Sequence, residues 1–245
     1  FYNLSVLTLA SNNRKNAQKS NFEGQKNKFF NSFKFLEIPE YDQFTQKLPD
    51  YFQDTLTGWK YRNNLMGFSF NFPQNFTVLN KEQLDLIKDG VMFESEQDKT
   101  LQGDNLRLSL KRSEFLAGAV VFGETSILVA AELPPFAGMG LNGVALALQH
   151  HKKRDSSITI TKDLYAFEIK GEKFYGIDII NKEGKLKQKM YLTLRAGISL
   201  QFIYSYRNDD ELKYFDEFLK SVQFFEPVKA DTARILDKYS DIIVL

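Results

Sequence analysis

The stretch Gly138-Met139-Gly140-Leu141-Asn142-Gly143 is a literal G-x-G-x-x-G, a spacing that can serve phosphate chemistry. It follows the apolar run Ile127–Leu133, precedes the Ala/Leu-rich run Gly143–Lys153, and stands ahead of Asp163. In a dinucleotide site such glycines let the backbone approach a pyrophosphate at a helix N-terminus, and a later acid holds the ribose. Two features argue against that use. Pro134-Pro135-Phe136-Ala137 separates the run from the first glycine, whereas the fingerprint needs a tight turn directly off a strand. After Asp163 the pattern is β-run after β-run with no intervening helix, so no parallel βαβ unit continues. The expected reading is a loop leading into a helix, with no cofactor. An enzyme or nucleotide-binding protein using residues 134–143 is the alternative. The same loop carries Phe136, Met139 and Leu141 among prolines and glycines. Apolar side chains there are either folded back over a sheet or offered to a partner, and the three are the candidate partner-binding residues.

Other reactive residue types are sparse. His150 and His151 are the two histidines. Adjacent helix positions point about 100° apart, so the pair cannot chelate one metal as an i, i+4 pair does. With Lys152, Lys153 and Arg154 they make a basic helix end, which suits the macrodipole. No Ser–His–Asp set and no convergent carboxylate pair stands out, and no catalytic residue is assigned. Trp59, between Gly58 and Lys60-Tyr61, is expected as a core anchor rather than an exposed binding aromatic.

Composition narrows the class. The 245 residues are 43% hydrophobic and 26% charged, with 23 Phe and 11 Tyr as bulky core material, as in a globular protein. Net charge is +1, too small a field to recruit nucleic acid, and residues 12–28, although basic, lack the interleaved aromatics of a nucleic-acid arm. The absence of cysteine excludes disulfides, thiolate metal sites and a cysteine nucleophile. No window approaches the ~18 apolar residues of a membrane span.

The elements that must position these residues repeat. Residues 29–37 read FFNSFKFLE and residues 218–226 read FLKSVQFFE, so Phe29, Ser32, Phe35 and Glu37 match Phe218, Ser221, Phe224 and Glu226. Each copy lies downstream of a strand-like run, 4–9 and 198–206, which predicts a strand–helix–strand unit twice. The organisation expected is residues 1–38 as the C-terminal piece of a preceding similar domain, 39–58 as connector, 59–227 as a complete domain and 228–245 as a C-terminal extension. Within the domain, 67–73 alternates as a strand ended by Pro73, 81–88 is helical, and 91–94, 106–111, 119–122 and 127–133 read as strands. Residues 143–153 read as a helix and 158–161, 165–169, 174–180, 186–194 and 198–206 as strands. Asn181–Gly184 and Arg195–Gly197 carry hairpin chemistry. The last helix, 209–221, lays Leu212, Phe215, Phe218, Leu219 and Val222 on one stripe, expected against Phe202, Tyr204, Met190, Leu192 and Phe70.

The order of these motifs, a GFSFNFP strand, a mid-domain helix, a meander containing KGEKFYG and a helix running into F-x-x-S-V-x-F, resembles the PsbP-like family. That fold is shared by a photosystem II extrinsic protein, a Ran-binding nuclear import factor and many bacterial proteins. The resemblance covers residues 59–227, plus the family's last strand and helix in 1–38. It implies an α+β fold, an antiparallel β-sheet flanked by helices in an α/β/α sandwich, here preceded by the terminal strand–helix–strand of a sister domain. It also implies a non-enzymatic binding or scaffold module, with a protein partner the expected ligand. An exported or cell-envelope setting is preferred to the cytoplasm by a small margin.

Overall fold

Two-residue turns set the frame. In the computed structural model, which describes residues 54–99, 101–121, 125–135, 138–181 and 186–227, Ala196 and Gly197 have φ of +49° and +76°, and Lys170 and Gly171 have +50° and +81°. Both central residues left-handed is the type I′ pattern, whose twist matches that of the strands it joins. The first turn joins β9 (Lys187–Arg195) to β10 (Ile198–Tyr206) and the second joins β7 (Ile158–Ile169) to β8 (Glu172–Asn181). The described residues all fall within one unit, residues 44–245. The expected strand 4–9, helix 26–33 and strand 34–37 lie outside the described residues, as do Phe136 and residues 228–245.

The main sheet has seven strands in the order β4-β5-β6-β10-β9-β8-β7, where β4 is Thr77–Val78, β5 Ser113–Val121 and β6 Thr125–Glu132. Every pairing in it is antiparallel. A second antiparallel sheet, in the order β1-β2-β3-β11, joins Asp54–Thr57, Lys60–Asn63, Phe68–Asn71 and Gln223–Phe224. Residues 54–57, placed in the connector by the sequence, are therefore a paired strand. The expected α+β class with antiparallel sheets and flanking helices is what the protein has.

Both faces of the main sheet are covered. On one lie α1 (Lys81–Gln97), α2 (Leu101–Arg112) and α3 (Leu141–Arg154). Leu84 and Leu110 pack there with Leu79, Phe115 and Ala130, and Val144 and Ala145 pack with Leu192. On the other lie the small sheet and α4 (Leu212–Ser221), enclosing Phe68, Phe70, Phe72, Phe202, Tyr204, Phe215, Phe218 and Val222. Phe218 is fully buried, its ring 4.9 Å from Phe70 and 5.3 Å from Phe202. Phe215 stacks on Tyr204 at 4.7 Å. Met190 and Leu192, expected in this layer, are on the opposite face. They pair with Ile203 and Gln201, and directly opposed residues of an antiparallel pair share a face. Tyr191, paired with Phe202, is the β9 residue that reaches Phe215, at 5.1 Å.

Two elements differ in kind from the sequence expectation. Residues 91–94 belong to α1 and 106–111 to α2. The alternation of Leu106, Leu108 and Leu110 fits a strand, but Leu106 and Leu110, four apart, lie on one helical face and both reach the cluster around Leu84. An Asn80–Gln83 capping box starts α1, and the helix runs through Gly90 because Val91, Met92 and Ser95 find inward contacts. The strands 158–161 and 165–169 are one long strand, β7, with irregular register between Ile160 and Tyr165.

Arg195 ties the two sheets together. Its guanidinium donates to the carbonyls of Met66 at 3.0 Å, Gly67 at 3.2 Å and Phe225 at 2.7 Å, and pairs with Glu172 at 2.5 Å. Gly67 has φ +67°, and a Cβ there would stand 2.2 Å from the Phe225 carbonyl. Gly67→Ala should therefore cost more than ~2 kcal/mol in a denaturant melt, combining left-handed strain with backbone overlap. Phe218→Ala should cost about 3–5 kcal/mol. A melt of that variant matching the parent would show that the aromatic layer does not carry the domain.

Candidate functional site

The glycine-rich segment is built as a helix entrance. Gly140 is the N-cap of α3 and supplies no side-chain cap. Met139 folds across Gly143, where a Cβ would meet its Cγ at 2.8 Å. Met139 and Leu141 are half-buried against Val144, Ala145 and Leu192, the folded-back of the two arrangements open to this loop. Phe136 lies outside the described residues. Asp163, the acid a dinucleotide site would need, binds Gln149 at 2.6 Å and Lys153 at 2.8 Å. Those partners lie eight and twelve residues beyond the start of α3, roughly 12–18 Å down the axis from the glycines. Among the described residues Asp163 is thus directed away from the glycines, and the strands that follow α3 pair antiparallel.

Hydrogen bonds from Lys153, Gln149 and the Leu164 amide hold the Asp163 carboxyl down at about 2. His150 is exposed and His151 half-buried at the C-terminal end of α3, where burial pushes the His151 imidazole down. Among the described residues, no group of three His, Cys, Asp or Glu could hold a metal ion.

A second polar cluster crosses β7, β8 and β9. Asp178 accepts from the Tyr165 hydroxyl at 2.7 Å and from Lys189 at 2.6 Å. The Tyr165 ring lies over Gly176, where a Cβ would stand 2.6 Å away. Burial pushes the Tyr165 phenol up. Burial is the largest influence on Lys189 and opposes its charge, but the Asp178 carboxylate together with the neighbouring Tyr191 and Tyr206 holds the ammonium up. A phenol held protonated and a lysine held charged are each the wrong state for a base or nucleophile, so this network braces the sheet.

Two surfaces are not accounted for by the fold. The first is on α1, where Leu86, Ile87 and Phe93 are 69%, 42% and 64% exposed. Gly90 lies between Leu86 and Phe93 on the helix, with nothing within 4 Å of where its Cβ would be. Glu82, Asp89 and Glu96, all exposed, run alongside at seven-residue spacing. The sequence signal for this face was the continuation of the helix past Lys88, hidden because Val91-Met92-Phe93 reads equally well as a short strand.

The second is at the tip of the β1–β2 hairpin. Thr57 and Lys60 are joined through Gly58, at φ +60°, and Trp59. Glycine at the first of two turn positions is the type II′ choice. Trp59 is 45% exposed, contrary to the core position expected for it. Its indole N–H donates to the Phe76 carbonyl at 3.2 Å, so the ring is pinned outside the core. Beside it is a cavity of about 380 Å³ lined by Trp59, Lys60, Asn71, Gln74 and Glu217, among others. The Gly58-Trp59 pair between TLT and KYR was the available signal, a turn that sends its second residue outward.

No protein-family model matches the sequence, and no curated protein matches it. Among solved structures, the solution structure of a cyanobacterial PsbP from Synechocystis is similar, at 11% identity and a TM-score of 0.42, covering 68% of this chain and 91% of that one. A crystal structure from Bacteroides thetaiotaomicron is also similar, at 12% identity and a TM-score of 0.32, covering 77% of this chain and 60% of that one.

The Asp163 cluster gives a direct check. Its carboxyl should titrate at about 2 by carbon-detected NMR, and Lys153→Ala should move it up toward the ordinary carboxylate range. Because the folded value is depressed, the stabilisation is present above the unfolded value of 3.8 and is lost as pH falls toward 2. An Asp163 titration unaffected by Lys153→Ala would break this account.

Proposed function

We propose that this protein is a non-enzymatic binding module that takes a protein partner on the exposed face of α1. The observation that carries the reading is the apolar stripe of Leu86 and Phe93, with Ile87 beside it, on a helix whose opposite face is packed. In heptad terms Leu86 and Phe93 occupy d positions, Gln83, Gly90 and Gln97 occupy a positions, and Glu82, Asp89 and Glu96 occupy g positions. Exposed apolar residues at d with charges at g are the arrangement by which one helix selects another. The open space at Gly90 suits a large side chain inserted from the partner.

Charge specifies the partner further. Glu82, Asp89 and Glu96 make no ion pair among the described residues, whereas Lys81 is taken up by Asp85 and Glu114. The partner that fits is therefore a basic amphipathic helix, its lysines or arginines facing the acidic row.

A synthetic Leu/Lys amphipathic helix is the appropriate probe. It should bind the parent in a salt-weakened manner, and Leu86→Ser/Phe93→Ser should abolish binding while leaving Tm nearly unchanged, since both side chains already face water. Equal binding of a Leu/Glu helix of the same pattern, or binding retained by the double variant, would defeat the proposal.

A further inference from the structure

The hairpin cleft at Trp59 has a chemistry of its own, unlike that of the α1 face. We propose that it binds the ring of a neutral sugar, with Trp59 as the stacking platform and Asn71, Gln74 and Glu217 as its hydrogen-bonding partners. This goes beyond the protein-docking reading and stands or falls separately from it.

Three observations carry the assignment. The indole has one polar atom, and that atom is already used on the Phe76 carbonyl. Nothing of the ring remains for a ligand except its apolar surface, held in one orientation by the hydrogen bond and by the turn. A half-exposed aromatic plane that cannot turn away is a platform for an apolar face, and the C–H faces of a pyranose are flat and apolar.

The second observation is the rim. The side chains of Lys60, Asn71, Gln74 and Glu217 make no hydrogen bond or ion pair among the described residues, although the backbone of Asn71 exchanges hydrogen bonds with the Ser221 hydroxyl at 2.9 and 3.0 Å. The Asn71 amide donating to the Ser221 hydroxyl joins β3 to α4 at the base of the cleft, while the side chains above it stay free. Amides, a carboxylate and an ammonium together offer both donors and acceptors around one aromatic. A ligand carrying several hydroxyls, each able to donate and accept, matches such a rim.

The third is charge and size. Lys60 and Glu217 oppose one another in sign at the same cleft, so neither a strongly anionic nor a strongly cationic ligand is favoured. A cavity of about 380 Å³ falls at the small end of the range for small-molecule sites. It accommodates one or two sugar rings and not a folded partner.

Trp59 is the single tryptophan of the chain, so tryptophan emission, excited beyond the absorption band of the 11 tyrosines, reports on this cleft. The protein is titrated with linear gluco-, manno-, galacto-, xylo- and N-acetylglucosamine oligosaccharides. At least one series should give a saturable blue shift of the emission and protect it from acrylamide. Gln74→Ala and Glu217→Ala keep the tryptophan and should each weaken that response by about tenfold, the effect of losing a ligand hydrogen bond. Leu86→Ser/Phe93→Ser should leave it unchanged. No emission change with any series at millimolar concentration would overturn the assignment. So would responses of equal midpoint in the parent and both rim variants.

Discussion

The fold rests on one aromatic contact set, the rings of Phe70, Phe202 and Phe218. One comes from the small sheet, one from the main sheet and one from α4, and they meet within 4.9–5.3 Å for the two pairs that include Phe218. The four-stranded sheet and α4 both bury their apolar residues in this layer, which Phe215 extends onto Tyr204 and Tyr191. A short two-sheet assembly without such a shared layer would expose a full face of each sheet to water. The polar devices around the layer register it rather than hold it. Arg195 fixes where the turn before β3 sits relative to β9, and the Ser221–Asn71 exchange fixes α4 along β3.

This arrangement explains where free surface remains. The main sheet uses both faces, so its inner residues have no capacity left for a ligand. What is left over belongs to elements at the margins. Helix α1 has two sides and only one is needed to cover β5, and the β1–β2 hairpin carries Trp59 at its turn, outside the core. Both lie on regular, braced elements, and recognition from such positions costs little ordering.

Much of the scaffold was legible in the sequence. The β9–β10 hairpin was read from Arg195-Ala196-Gly197, where Ala196 and Gly197 take two successive left-handed positions, and the antiparallel pairing of β8 with β9 was expected from Asn181–Gly184. Phe215, Phe218 and Val222 were read from helical spacing, and all three are buried. The misreadings share a cause. Leu106-Arg107-Leu108-Ser109-Leu110 alternates like a strand, and what makes it a helix is the distant cluster of Leu79, Leu84 and Phe115, which periodicity does not contain. Met190 and Leu192 were given the right parity within β9 and the wrong layer, since alternation alone does not say which face of a doubly covered sheet is which. Trp59 was assigned to the core on residue type. Its place in a two-residue turn outweighed its hydrophobicity, and the α1 face was missed because the helix was ended too early.

The pairing of β3 with β11 joins the beginning of the described domain to its end, and Asn71 meets Ser221 across 150 residues. A protein with so long-range a closing contact pays its loop-closure entropy late, and its folding rate falls accordingly. During synthesis, the phenylalanines of β3 leave the ribosome well before Phe218 exists to cover them. The domain is thus committed to folding after its translation is nearly complete, and its nascent chain must carry an open aromatic face for most of that time. Exposed apolar surface of that kind favours aggregation, and a chain cut before α4 lacks the cover that Phe218 gives to Phe70 of β3.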